Sequence, residues 1–327
     1  MTHKKKVGLI IGSLAVLLLL IVALTSIGSV NIGLNELFSA ILNNDNKVIT
    51  TIIYKMRLPR NVMAVLVGAS LAVSGALLQA VMKNPLADPG ITGVSSGASV
   101  FAIIILLLLP QYVGVLPFLA FIGGAIACVT VYLIAWNNGL KPMRVVLAGV
   151  AVNAILGGFI SLLTTLYSDR IQGALLWLNG SLASKTWGDV KIVALYTIIG
   201  LVLAMLCARG ANVLTLGDDS AMNLGYNVTR TRVMLSAVAV FLAGTTTAVV
   251  GIISFVGLIV PHISRMIIGS DHKYNLPFSM VLGGIVLLLA DTVARTILGA
   301  VELPVGVVMS IVGGPFFLYL LRKRGGE

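Results

Sequence analysis

Charged residues are what this chain has least of. Asp, Glu, Lys and Arg make up 10% of its 327 residues, where a soluble domain carries about a quarter. Hydrophobic residues make up 58%, and the mean hydropathy is +1.06. So little charge cannot cover a water-facing surface, which places most of the chain in lipid. The two cysteines, Cys128 and Cys207, fall in separate apolar runs, which excludes a disulfide framework and leaves them as packing residues. The three histidines and two cysteines form no ligand-spaced cluster, so no metal site is expected. The net charge of +11 is spread over short loops, without the basic helix or aromatic–basic interleaving of a nucleic-acid binder. No catalytic constellation is visible. The nearest phosphate-loop lookalike, NGSLASKT at 179–186, has Asn179 and Ser184 where that loop requires glycine.

What the chain has instead is long apolar runs. Windows of about 20 apolar residues suit a membrane helix, and ten candidates follow: 7–27, 61–82, 92–109, 117–136, 144–166, 191–207, 233–252, 255–268, 277–296 and 307–321. The expected fold is an all-α polytopic membrane bundle forming a single transmembrane domain over 1–327. The opening MTHKKK and its apolar run resemble a signal peptide, but the run is long and lacks a small-residue cleavage site, so it reads as the first span. The 255–268 run is short and holds Pro261, which removes a backbone donor and bends its helix. With the amino terminus in the cytoplasm, fourteen Lys and Arg fall on cytoplasmic segments and eight on outer ones. That asymmetry matches the positive-inside rule and puts both termini in the cytoplasm. Three of the outer eight, Lys55, Arg57 and Arg60, cluster against the rule.

Small residues line two spans. Gly68, Ala72 and Ala76, flanked by Ser70 and Ser74, have the spacing that lets helix backbones approach closely in lipid. Gly149, Asn153, Gly157, Ser161 and Thr165 recur every four residues and put one small or polar stripe on a single helix face. A lipid-facing polar stripe is costly. This one reads either as an interhelical seam or as the wall of a translocation path.

Intramembrane acids are nearly absent. Asp291 stands four residues before Arg295, and an ion pair between them near the helix end is expected. A proton-driven carrier needs ionisable groups in its membrane core, so the energy for any transport is expected from a separate subunit. The polar insert RGANVLTLGDDSAMNLGYNVTRTR at 209–232 offers a docking element. Asp218, Asp219 and Ser220 are positioned to cap a short helix over Ala221 to Leu224, with Gly225 to stop it. A bare tether is the competing reading.

Several separated motifs carry a resemblance: RLPR at 57–60, KNPLADPG at 83–90, TLGDDSAMNLGYNV at 215–228, FVGLIVPHISR at 255–265, DTVAR at 291–295 and ELPVGV at 302–307. Over about residues 50–322 the chain resembles the FecCD-type permease subunits of bacterial ABC importers for iron–siderophores, haem and vitamin B12. The loop 28–50 matches weakly. The resemblance implies no catalysis and no cofactor in this chain, ATP and Mg²⁺ being handled by two cytoplasmic ATPase subunits. It implies a second permease subunit, identical or homologous, and an extracytoplasmic substrate-binding protein. Arg57, Arg60 and Arg295 correspond to the arginines that receive acidic side chains of that binding protein, with headgroup anchoring as the competing role. Asn84 and Leu86 correspond to the cytoplasmic gate. Leu216, Gly217, Asp218, Asp219, Ala221, Leu224 and Gly225 correspond to the loop that couples to the ATPase. Iron–siderophore is the expected cargo, with haem and then cobalamin behind it. A secondary carrier working alone, or a non-transporting scaffold, are the alternatives from other classes.

Overall fold

A computed structural model describes residues 1–28, 33, 47–137, 139–299 and 301–324. The loop 28–50 lies mostly outside the described residues. The chain folds into helices, designated here α1 (His3–Ser26), α2 (Leu58–Met82), α3 (Val94–Leu108), α4 (Leu116–Ala135), α5 (Pro142–Leu166), α6 (Ile171–Leu178), α7 (Trp187–Thr215), α8 (Asp218–Asn223), α9 (Val228–Val250), α10 (Val256–Ile268), α11 (His272–Thr296) and α12 (Val305–Arg324). A short helix Lys47–Thr51 and a π-turn Ile52–Arg57 lead directly into α2. Seven helical stretches are long and apolar enough to cross a membrane. Three more apolar helices, α3, α10 and the apolar part of α12, are shorter. At 13 residues, α10 is about 20 Å long, too short to cross about 30 Å of hydrocarbon unaided.

The layering follows side-chain size. Within the most apolar 18-residue stretch of each span, 83% of residues are buried in the one that includes α2, 72% in α9 and 56% in α11, against 11% in α1 and 22% in α5. Small residues put α2 at the centre. A Cβ at Gly68 would collide with the carbonyl oxygen of Gly283 on α11, and one at Gly75 with that of Gly257 on α10. Polar side chains close the remaining seams. Ser74 donates to the Ala239 carbonyl of α9 at 2.6 Å, and the Ser70 hydroxyl lies 3.0 Å from that of Thr197 on α7. The Gly68–Ala72–Ala76 stripe is thus a packing face, where backbones meet because apolar side chains gain nothing by leaving lipid.

Helix limits differ from the sequence expectation where caps act. α7 begins at Trp187 because Thr186 and Asp189 form a capping box. It continues to Thr215, so the polar insert shrinks from 209–232 to 216–227. Ala211 and Leu214 are buried and keep the helical period going until Gly217 breaks it with φ +109°. Gly217, not Asp218, precedes the first residue of α8. The stop at Gly225 is present. Its N–H reaches Met222 O at 2.9 Å, and that of Tyr226 reaches Ala221 O at 3.0 Å, a Schellman closure with Gly225 at φ +80°.

Candidate functional site

Polar side chains gather at the two ends of the bundle. At the end where α1 finishes, the last turn leaves carbonyls without helical partners. Two arginines satisfy them. Arg57 Nη1 donates to Thr25 O and Ser26 O, each at 2.9 Å, and Arg295 Nη2 donates to Leu24 O at 2.7 Å. Positive charge at a helix C-terminus is also favoured by its dipole. Asn61 adds a bond from Nδ2 to Thr25 Oγ1 at 2.9 Å. Between them Arg60 grips Asp291 with both faces of its fork, Nε to Oδ2 at 2.8 Å and Nη2 to Oδ1 at 3.0 Å, and holds Glu302 through Nη1 at 2.6 Å.

The expected Asp291–Arg295 pair is therefore not the one formed. Arg60 reaches across the α2–α11 seam and meets the carboxylate in the bidentate geometry that a guanidinium favours, while Arg295 turns to α1. Arg57, Arg60 and Arg295 are brought together, but each is buried, at 7%, 8% and 4% exposure. Within this chain they hold structure, with α1, α2, α11 and the segment around Glu302 as the parts held. Glu302 is the exposed member of the cluster, with its side chain 46% accessible.

At the opposite end, α2 stops at Lys83, which adopts a left-handed conformation (φ +48°), and the chain turns back toward the bundle. Asn84 Oδ1 accepts from Leu86 N at 2.9 Å, closing an Asx turn. Gln79 Nε2 binds Ala87 O at 3.2 Å and Gly257 O at 3.1 Å. Asp88 Oδ1 caps the 3₁₀ turn Pro89–Thr92 through Gly90 N at 2.9 Å. Asn84 is exposed and Leu86 half-buried.

The α5 stripe divides against this turn. A Cβ at Gly149 would collide with Ile91 O, and Asn153 Nδ2 donates to Gly90 O at 3.0 Å, so the first two members are a seam. Gly157 has no heavy atom within 4 Å of where a Cβ would sit, and Ser161 and Thr165 are exposed, so the last three look out of the chain.

The α7–α9 loop lies at the same end as the turn. Leu216, Met222 and Leu224 are each more than half exposed, and Asp219 is exposed, while Ala221 is fully buried. Asp218 points inward. Its Oδ1 accepts from Lys83 Nζ at 2.5 Å, and both oxygens accept from Arg232 Nη2 at 2.7 and 3.0 Å. Burial alone would raise the Asp218 pKa, but the two cations outweigh it and hold the carboxyl below its usual range. Arg232 also donates from Nη1 to Leu140 O at 2.9 Å, just before α5. Lys83, Arg232 and Glu302 enter the sequence reading only as loop charges or motif letters. Their partners are 135, 14 and 242 residues away, and no local pattern announces such pairings. Among the described residues, no group of three or more His, Cys, Asp or Glu is placed to hold a metal ion.

Comparison with known proteins agrees with this layout. The model of the FecCD transport family matches residues 15–323. The chain is 38% identical over 324 residues to the Fe(3+)-citrate import system permease protein YfmE of Bacillus subtilis strain 168, covering 98% of this chain and 97% of that one. It is 39% identical over 294 residues to the "Probable heme-iron transport system permease protein IsdF" of Staphylococcus aureus strain Newman, covering 90% and 89%. A solved structure described as an inward-facing conformation of a metal-chelate type ABC transporter superposes with a TM-score of 0.83 at 26% identity, covering 97% of this chain and 99% of that one. A helical bundle with polar clusters at both ends, matched along nearly its whole length, is thus a multi-pass membrane permease that belongs to the FecCD transport family.

Proposed function

We propose that this chain is the transmembrane permease subunit of an ATP-driven importer of iron(III) chelates, siderophore complexes foremost. The observation that carries the reading is the 216–227 loop. Its helix is closed on itself by the Schellman bonds, yet it displays Leu216, Met222 and Leu224 in an otherwise polar loop. Exposed apolar side chains there call for a protein partner, and a separate ATPase subunit fits apolar runs that carry so few ionisable residues. ATP and Mg²⁺ belong to that partner, and this chain binds no cofactor of its own.

We take the seven long and three shorter apolar helices as ten crossings; an even number puts both termini on one side, and the excess of Lys and Arg assigns that side to the cytoplasm. On that orientation the turn with Asn84 and Leu86 is the inner gate. Gly157, Ser161 and Thr165 continue the Gly149–Asn153 line toward the outer side as one wall of the conduit. Because that part of α5 is uncovered, a second permease subunit, identical or homologous, completes it. A substrate-binding protein docks over the Arg57–Arg60–Arg295 cluster. Arg60 Nη1 is the donor it can capture, because its present acceptor, Glu302, is the exposed one. Charge complementarity of this kind fixes orientation and speeds encounter.

Cargo follows from the relatives: YfmE is named for Fe(3+)-citrate. Haem is the second reading, favoured by the similarity to IsdF. The test is uptake of a radio-iron siderophore into proteoliposomes holding this chain, its partner permease and ATPases, with loaded binding protein outside. ATP-dependent iron uptake is expected. Uptake without the ATPase would refute the mechanism, and ATP-dependent uptake of hemin alone would move the cargo to haem.

A further inference from the structure

The coupling loop has two faces with different tasks. Leu216, Asp219, Met222 and Leu224 face outward, whereas the carboxylate of Asp218, its side chain 40% accessible, is held by cations of the bundle. Its carboxylate is shared by two cations from different elements. Lys83 closes α2 and opens the turn that holds Asn84 and Leu86. Arg232, 4% exposed in the first turns of α9, passes the link on to Leu140 O in the segment just before α5. One side chain on α8 therefore bonds to the cap of α2 and to α9, and through Arg232 reaches the segment leading into α5. A planar guanidinium and a carboxylate meeting through two bonds resist rotation as well as separation, which suits a joint that carries movement.

We infer that Asp218 is a positioning residue that transmits movement of the ATPase-bound loop, through Lys83 to the gate turn and through Arg232 to α5, and takes no part in holding the ATPase. This rests on the permease reading above and divides its coupling loop into a docking face and a transmission face.

The experiment uses the complete complex in proteoliposomes and reads three quantities: ATPase co-purified with the permease, ATP hydrolysed, and iron imported per ATP. Asp218→Asn and Lys83→Met each cut one side of the joint, the second at an exposed position that tolerates change. Both variants are expected to retain their ATPase and hydrolyse ATP, while iron imported per ATP falls about tenfold, the size of a typical coupling between sites. Asp218→Glu, which keeps the charge, recovers most of it. A structural defect alone would lower all three readings together and would not separate hydrolysis from import.

Wild-type import per ATP in both Asp218→Asn and Lys83→Met overturns the joint. So does loss of the ATPase from Asp218→Asn, which would put Asp218 in the docking face. A wild-type complex with no ATP-driven uptake refutes the permease reading and the joint together, whereas wild-type uptake with unaltered variants refutes the joint alone.

Discussion

Cutting the Arg60–Asp291 pair gives the sharpest test of how the α1 end is held. Asp291 is fully buried and Arg60 is 8% exposed, and they share two hydrogen bonds across the α2–α11 seam. Removing one partner of a buried pair costs about 3–5 kcal/mol, because the other charge is left without compensation. Asp291→Asn belongs at the lower end, about 3 kcal/mol, since Arg60 keeps Glu302 at 2.6 Å. That shifts the folded-to-unfolded ratio by about two orders of magnitude. Replacing both members, Arg60→Met with Asp291→Leu, removes the pair but takes Arg60 from Glu302 and the attraction of Asp291 from buried Arg295, so the double variant should cost less than the sum of the singles without returning to wild type. The assay is unfolding in mixed micelles across the full double-mutant cycle. Costs of the two single variants that simply add in the double variant would refute the pairing as the organising contact of this end.

Three further outcomes follow from the geometry. Gly75→Ala forces a methyl onto the Gly257 carbonyl and should cost about 1–3 kcal/mol by overpacking. Gly157→Ala, with open space around it, should leave the unfolding midpoint unchanged, and equal effects at the two sites would contradict the packing described. Thr186→Ala removes the α7 capping box and should cost about 1 kcal/mol, seen as faster amide exchange at Asp189, whose N–H the threonine hydroxyl accepts, while α2 is unaffected. The third concerns pH. Lys83 and Arg232 depress the Asp218 pKa, so the stability this carboxylate lends α8 is present above its unfolded value and lost as pH falls through the lower folded value. Amide exchange at Tyr226, corrected for its intrinsic pH dependence, should therefore show α8 opening only below the ordinary carboxylate range. Loosening at neutral pH would refute the link.

Composition was enough to establish a membrane helical bundle, because 10% charge cannot cover a water-facing surface. The small-residue spacing in α2 was enough to mark a close helix contact, because only such residues let backbones touch. The Gly225 stop was legible for a similar reason: a left-handed turn has few alternatives to glycine. Motif resemblance singled out the 216–227 loop and the turn at 83–90 for the proposed coupling and gate roles. What the sequence left open was which charges meet. Asp291 and Arg295 share a helix face at the right spacing, yet Arg60, 231 residues away, takes the carboxylate, because helix packing decides which fork can reach it. The α5 stripe looks uniform as a string, yet folding covers Gly149 and Asn153 with the Gly90–Ile91 backbone and leaves Gly157, Ser161 and Thr165 open. Asp218 looks like one more exposed acid in a docking loop until α2 and α9 bring Lys83 and Arg232 to it. Local pattern fixes which segments are helices and which faces are small; the direction in which a long charged side chain is satisfied depends on the packed bundle.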